Sequence, residues 1–162
     1  MTTIATTATL DTMSAQTVLK VTRPWLGTPY RHRASLKGVG CDCLGLLRGV
    51  WRGLHGDEPE PLPAYSPHWA EVGCTETLLD AARAYLVPSA PAAQPDAGDV
   101  IVFRWHPKGL CKHLGIMSGP DRFIHAYDRI GVVETALVTG WRRRIAAVFR
   151  FPKTPELKPW QR

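Results

Sequence analysis

Cys43 is the residue whose type and position point most directly to chemistry. It follows Asp42 and precedes an apolar-periodic segment, which predicts a helix with Asp42 as N-cap and Cys43 in the first turn. Backbone N–H groups at a helix N-terminus favour a thiolate and can hold an oxyanion. Cys43 is therefore a candidate nucleophile, and Gly45 beside it is expected to leave room for a substrate. Because Cys43 shares a helical stripe with Leu47 and Val50, a buried structural role stays open.

Two histidines in strand-like segments are candidates for the base. His113 and His125 flank a turn at residues 119–121, and strand alternation puts both on one face if the opposite face is the apolar one. A hairpin centred on Gly119 pairs His113 directly with His125, so that one imidazole could orient the other. A two-residue loop at residues 120–121 would separate the faces unless a bulge corrects the register.

Zinc binding is the competing chemistry for some of the same residues. Three thiolates and one imidazole are available, from Cys41, Cys43, Cys111 and His113. Structural zinc sites usually separate paired ligands by two to four residues, whereas here one residue separates them. We therefore favour a thiol nucleophile that needs no metal or cofactor. The zinc alternative predicts that Cys41 and Cys111 matter as much as Cys43.

The segments that must position these residues change along the chain from helical to strand-like. Apolar spacing predicts helices over residues 11–23, from Cys43 to a stop at Gly56, and over about 69–86, with proline-rich connectors at 57–68 and 88–97. Five short apolar strands follow, at residues 100–103, 114–117, 123–127, 132–134 and 145–151. Helices followed by hairpin-linked strands indicate an α+β fold, with N-terminal helices packed on a central antiparallel sheet.

Composition and charge set limits on the class of protein. The 162 residues fit one domain, residues 1–162, with a core at about 11–151 and a polar tail segment at 152–162. The net charge of +6 is scattered except at residues 142–144, and we predict no nucleic-acid partner. We also predict no membrane span, because no apolar run approaches the roughly 18 residues required. Residues 1–10 do not look like a secretory signal, so synthesis in the cytoplasm without a signal peptide is expected.

Five short motifs in a fixed order resemble the NlpC-type cell-wall cysteine peptidases, a papain-like family. They span residues 25–126 and comprise Trp25–Tyr30, Asp42–Leu46, Ala97–Phe103, His113–Ile116 and Phe123–Ala126. The resemblance implies a triad in which His113 activates Cys43 and His125 orients His113. It implies cleavage of peptidoglycan stem peptides, typically between D-glutamate and a diamino acid. It also implies that Tyr30 lies near the oxyanion or the substrate backbone and that Asp42 recognises the substrate's amine end.

A longer similarity resembles a branch of this family encoded by tailed phages and gene transfer agents. It runs through Tyr30–Ser35, Gly40–Trp51 and Trp141–Arg144. This branch implies a virion component mounted on the tail tip or baseplate, which acts on the target cell wall and docks on tail proteins through its C-terminal segment and Trp160. Leu44 stands where many relatives have serine. It keeps open a second hypothesis, a structural tail-tip component that has lost activity.

Overall fold

The structure is a computed structural model that describes residues 11–59, 76–89 and 94–155. Its α-helices are α1 (Ala15–Thr22), α2 (Cys43–His55), α3 (Thr77–Tyr85) and α4 (Thr139–Arg142). Its strands are β1 (Ser35–Leu36), β2 (Gly40–Cys41), β3 (Val87–Pro88), β4 (Val100–Arg104), β5 (Cys111–Gly119), β6 (Arg122–Tyr127), β7 (Gly131–Ala136) and β8 (Ile145–Arg150). These elements confirm the predicted α+β fold. The single-domain prediction for residues 1–162 also covers residues outside the described ranges and stays a prediction.

Helix α2 forms where its capping residues and apolar spacing predict it. The Asp42 carboxylate accepts a hydrogen bond from the Gly45 N–H at 2.7 Å, which satisfies a backbone donor of the first turn. Gly56 ends the helix with a positive φ of 89°, a conformation that glycine adopts without strain. Leu46, Val50 and the other inward side chains then pack on strands β5 and β6.

The other two predicted helices are shorter in the structure. Ser14 caps α1, and the chain tightens into a 3₁₀ turn at Arg23–Trp25 because Pro24 has no N–H to continue an α-helix. Helix α3 begins at Thr77, and the portion predicted for residues 69–75 lies outside the described residues. Most of the connector predicted at residues 57–68 and residues 90–93 of the second connector also lie outside them.

Six antiparallel strands form the sheet, in the order β3-β8-β4-β5-β6-β7. All five predicted strands are present, each with slightly different ends. The two-residue strands β1, β2 and β3 and the short helix α4 were not predicted, because so few residues carry no readable periodicity. Strands β1 and β2 pair as a separate small hairpin directly before α2.

The sheet has a helix-covered face and an aromatic face. Helices α1, α2 and α3 cover one face, where Leu114, Ile116, Ile124 and Ala126 join the main core as predicted. The opposite face carries a second buried cluster, which consists of Ile101, Phe103, Met117, Phe123 and Leu137. Side chains that alternate with the main-core residues therefore point to this second cluster.

The β5–β6 hairpin differs in register from the direct pairing of the two histidines. Gly119 pairs with Arg122 around a two-residue loop, and a bulge between Met117 and Gly119 shifts the rest of the ladder by one residue. The continuing register, with Ile116 opposite Ile124, places His125 opposite Gly115 and diagonal to His113. The predicted direct pairing is therefore wrong, and the alternative, a two-residue loop at residues 120–121 with a bulge that corrects the register, is confirmed. The bulge restores the matching parity, so both histidines still share a face.

The two ends of the described chain meet beside the sheet. Thr12 and Pro152 form an isolated β-bridge, and the Met13 N–H donates to the Phe151 carbonyl at 2.8 Å. The rest of the predicted tail segment, residues 156–162 with Trp160, lies outside the described residues. Within the described ranges, no helix is long and apolar enough to cross a bilayer.

Candidate active site

Cys43 lies where the start of α2 meets strand β5. Its sulfur accepts hydrogen bonds from the backbone N–H groups of Leu114, Leu44 and Cys43 itself, all of which favour the thiolate. Leu114 follows His113 directly in the strand. The fold therefore brings the candidate nucleophile and the strand of the candidate base together, although about 70 residues separate them in sequence.

Burial dominates the ionisation of Cys43. Loss of water around the thiol, followed by the negative charge of the adjacent Asp42, raises its pKa to about 12 despite the favourable N–H groups. The N–H groups at the helix N-terminus act in the expected direction, but burial and Asp42 outweigh them, so the net effect is a raised pKa of Cys43. The thiol of the resting protein is protonated, and a base must remove its proton before or during attack.

The two histidines form a hydrogen-bonded pair on the aromatic face of the sheet. Nε2 of His113 lies 2.7 Å from Nδ1 of His125, and Nε2 of His125 lies 2.8 Å from the Thr135 hydroxyl. Thr135 is on the neighbouring strand β7, so three adjacent strands supply one connected chain of polar groups. Thr135 was not predicted as a site residue, because its place depends on the pairing of β6 with β7.

Both imidazoles are uncharged at neutral pH. Burial is the main cause that lowers the pKa of His113 to about 3 and that of His125 to about 4. Proximity to His125 lowers the pKa of His113 further. The resting site thus pairs a neutral thiol with a neutral base rather than a thiolate with an imidazolium.

Gly115 makes the diagonal contact of the histidines possible. A Cβ at this position would lie 2.8 Å from the Phe123 ring and 3.3 Å from Cβ of His125. Any larger residue opposite His125 would therefore displace one of these side chains. The strand needs a glycine between the two histidine positions for this close approach.

Aromatic side chains surround the histidine pair. Phe103 and Trp105 stack on the His113 ring at centroid distances of 5.8 and 5.7 Å, and Phe123 lies 4.4 Å from the His125 ring. Trp141 on α4 contacts both imidazoles. Alternation along β6 places Phe123 on the same face as His125, whereas no pattern in the sequence placed Phe103, Trp105 or Trp141 at the site.

Tyr30 and Asp42 both lie next to Cys43. Tyr30 is half-buried, and burial together with the nearby charges of Cys43 and Asp42 raises its pKa, so its hydroxyl remains a donor. Asp42 is buried and 2% exposed. Its second carboxylate oxygen accepts the Arg33 N–H at 2.7 Å and lies 3.7 Å from Nδ1 of His32. The visible role of Asp42 is to cap α2 and fix the preceding loop, while its contact with a substrate stays a prediction.

Two neighbours of Cys43 serve packing. A Cβ at Gly45 would overlap the carbonyl oxygen of Ala34, so this glycine makes room for the preceding loop rather than for a substrate. Leu44 is buried in the main core and lines an apolar cavity between α2 and α3. The leucine that departs from the family pattern is thus a core side chain.

The residues proposed for a zinc site are not arranged as one. Cys111 is the first residue of β5, where its N–H donates to Glu76. Cys41 is buried in β2, just before α2. Across residues 11–59, 76–89 and 94–155, no three side chains of histidine, cysteine, aspartate or glutamate are grouped closely enough to hold a metal ion. The geometry therefore does not support the zinc alternative.

The arrangement belongs to a recognisable class of site. A thiol at a helix N-terminus lies against a strand whose histidine is hydrogen-bonded to a second histidine. These are the group types that nucleophilic thiol catalysis requires. Residues 27–150, more than three quarters of the chain, match the model of the NlpC/P60 family, and the chain belongs to this family.

Individual relatives support this assignment. The murein DD-endopeptidase MepS/murein LD-carboxypeptidase of Escherichia coli K12 is 28% identical over 121 residues, which are 74% of this chain and 54% of that protein. The chain thus spans about half the length of the curated relatives it matches.

Solved structures show the same fold. An NlpC/P60 family protein of Bacillus cereus ATCC 10987 has a TM-score of 0.59 at 22% identity, over 88% of this chain and 42% of that one. A protein of Staphylococcus aureus Mu50, described as similar to a lipoprotein of the NLP/P60 family, has a TM-score of 0.60 at 23% identity. That match covers 92% of this chain and 46% of the other.

Proposed function

We propose that this protein is a cysteine endopeptidase that cuts stem peptides of bacterial peptidoglycan. The observation that carries the proposal is the Cys43 thiol at the start of α2, held against the strand that carries the hydrogen-bonded histidine pair. Membership of the NlpC/P60 family supports a hydrolase acting on the cell wall. The name of the Escherichia coli relative, a murein endopeptidase, supports the substrate class.

The proposed reaction begins with proton transfer from Cys43 to His113. Because Nε2 of His113 is engaged with His125, Nδ1 takes the proton as the sulfur attacks the peptide carbonyl carbon. The C–N bond then breaks, and His113 returns the proton to the departing amine. A water molecule, deprotonated by His113, hydrolyses the acyl thioester, which releases the carboxylic acid and restores the thiol.

The remaining proposed roles concern charge and orientation. The backbone N–H of Cys43 and the Tyr30 hydroxyl stabilise the oxyanion, because both donors lie beside the thiol. His125 holds the ring of His113, and Thr135 in turn accepts from His125. Asp42 lies beside the Cys43 thiol, and its negative charge attracts the amine end of the peptide.

Hydrolysis of purified stem peptides tests the proposed activity. We expect turnover by the unmodified protein in the presence of a chelator and a loss of at least about 10³-fold in kcat/KM in Cys43→Ala. Cys111→Ala is the matched control, because it removes a buried thiol outside the site and should retain activity. Equal activity in Cys43→Ala, or loss caused by the chelator, would refute the thiol mechanism.

We further propose that the chain is carried on the tail tip or baseplate of a phage or gene-transfer-agent particle. The support is the sequence resemblance to that branch, and the partners are tail proteins. Mass spectrometry of purified particles from a strain that encodes the chain is expected to find it at a fixed ratio to tail proteins. Intact particles that lack the chain would refute this location.

A structural tail component without activity is the second candidate. The observation behind it is Leu44 in place of the usual serine. Since Leu44 is packed in the core rather than placed against the thiol, it gives no steric reason for inactivity. Inactivity of both the free chain and the assembled particle on stem peptides would favour this candidate.

A further inference from the structure

Trp141 lies against both candidate catalytic histidines and has no part in the chemistry proposed above. Its ring centroid is 6.0 Å from that of His113 and 5.4 Å from that of His125. It also contacts the neighbouring rings of Phe103 and Phe123, at 5.0 and 5.2 Å. The indole is therefore shared by the whole aromatic environment of the histidine pair.

The short helix that carries Trp141 is fixed to the histidine hairpin. The Arg142 guanidinium donates to the Asp121 carboxylate at 3.0 Å and to the Pro120 carbonyl at 3.1 Å, both in the β5–β6 loop. The Leu137 N–H donates to the Asp121 carbonyl at 2.7 Å, and the Leu137 side chain is buried in the second cluster. These contacts hold the indole over the strands that present His113 and His125.

We propose that Trp141 is a positioning residue that covers the His113–His125 pair, excludes water from it and holds the two rings in their hydrogen-bonded orientation. His113 and His125 are only 6% and 1% exposed, although they lie on the sheet face opposite the main helices. Trp141 contacts both rings from α4 and so adds to the cover that Phe103, Trp105 and Phe123 provide. The proposed effect on catalysis rests on the proposed function, whereas the effect on the histidines does not.

Within the part of the chain that the structure describes, few other charges act on the pair. The titratable or charged groups near it are the Tyr127 hydroxyl, the guanidinium of Arg144 and the Cys43 thiol, which is hydrogen-bonded to the backbone of Leu114. Arg144 lies 5.3 Å above the Trp105 ring, which separates it from His113. Thr135 contributes a neutral hydroxyl. Burial is accordingly the leading cause of the low pKa of both imidazoles, and removal of the cover should raise it.

NMR titration of the imidazole C–H signals tests this cover without any substrate. In the unmodified protein we expect neither His113 nor His125 to titrate between pH 8 and about 5. In Trp141→Ala we expect the pKa of both to rise by about one unit or more towards 6.5, because water reaches the rings. Trp141→Phe should keep both pKa values close to those of the unmodified protein, since a smaller ring still covers the pair.

Ile145→Ala is the matched control. Ile145 packs on the same second cluster, so its truncation also removes apolar contacts there but removes no aromatic ring from the histidine pair. We expect it to lower the unfolding temperature without moving the two pKa values. Should Trp141→Ala fail to fold, Trp141→Leu is measured instead, with a smaller rise expected.

Unchanged histidine pKa values in a folded Trp141→Ala or Trp141→Leu would overturn the proposal. Equal shifts in Ile145→Ala would overturn it as well, because the effect would then be general loosening. In turnover, loss of the cover should move the acid limb of the pH profile upward in parallel with the NMR pKa. A raised NMR pKa in a protein that hydrolyses no stem peptide would contradict only the proposed function.

Discussion

His113 has one nitrogen, Nε2, engaged with a second histidine, and the proposed mechanism uses the other, Nδ1, as the base for the thiol. In the tautomer that the proposed mechanism requires, Nε2–H of His113 donates to Nδ1 of His125, and Nε2–H of His125 donates to the Thr135 hydroxyl. That tautomer leaves Nδ1 of His113 with its lone pair. An orienting group that fixes the tautomer of a base contributes through geometry, so a side chain of similar shape and acceptor capacity should replace it.

Substitution of His125 tests this orienting role. We expect His125→Ala to lower kcat by about 10²-fold or more, because His113 loses its partner and can rotate. His125→Asn should retain more activity, since its amide oxygen can accept from Nε2 of His113. The measurement is steady-state hydrolysis of stem peptides, with circular dichroism as the control for folding. Equal activity of the alanine variant and the unmodified protein would exclude an orienting role.

Individual residues of the site could be predicted when their signal was local. The Asp42 cap, the place of Cys43 in the first turn and the shared face of the histidines all follow from short-range patterns. The direct pairing of His113 and His125 was wrong, because a bulge beside Gly119 changes the register and leaves no mark in composition. The ionisation of Cys43 was missed as well, since burial is a property of the folded chain.

Helix α2 packs through three glycines spaced four residues apart. The Ala34 carbonyl lies against Gly45, the Trp25 ring against Gly49 and the Val21 side chain against Gly53. Each of these groups is too close to the glycine to leave room for a Cβ. This spacing puts the glycines on one face, which lets the preceding loop and α1 approach the helix axis. The close packing positions Cys43, because the same loop holds the Asp42 carboxylate through the Arg33 N–H.

Alanine substitutions along this face should differ in cost. Gly45→Ala and Gly49→Ala are expected to lower the free energy of unfolding by about 1–3 kcal/mol, since backbone or a large buried ring must move. Gly53→Ala should cost least, because it meets a single valine side chain and alanine favours the helix by about 1 kcal/mol over glycine. Urea denaturation of the three variants gives the comparison. A larger loss for Gly53→Ala than for Gly45→Ala would contradict this packing.

Long periodic elements were predictable, and short ones were not. The spacing of apolar residues marked α2 and the five main strands, whereas β1, β2, β3 and α4 contain two to four residues each and have no period to read. Yet α4 carries Trp141, and the β1–β2 hairpin sets the loop before Cys43. The elements that complete the site are therefore those whose formation depends on tertiary contacts.

The folded protein buries the two histidines of its candidate site in the neutral form, so its stability depends on pH. Both histidines have native pKa values of about 3 and 4, below the 6.5 of an exposed imidazole. Between these limits the unfolded chain binds more protons than the native one. The free energy of unfolding is therefore unaffected by titration of these two histidines above pH 6.5, and it decreases as the pH falls towards 4.

Chemical denaturation at several pH values checks this linkage. We expect the free energy of unfolding to fall by about 2 kcal/mol per pH unit between pH 6.5 and 4.5, because two imidazoles titrate in the unfolded chain. His125→Asn should lower this slope, because it removes one of the two titrating groups, while His106→Asn is a control at an exposed position. A flat profile over this range would contradict the neutral burial of the pair.

The identity of the nucleophile is the central point of the proposed mechanism. The direct measurement is mass spectrometry of the protein quenched during stem-peptide turnover, with fragment ions that separate Cys41 from Cys43 within their shared tryptic peptide. We predict an added mass equal to the acyl half of the cut peptide on Cys43 and none on Cys41 or Cys111. Turnover with no acyl group on Cys43, or with the group on another cysteine, would contradict the proposed mechanism.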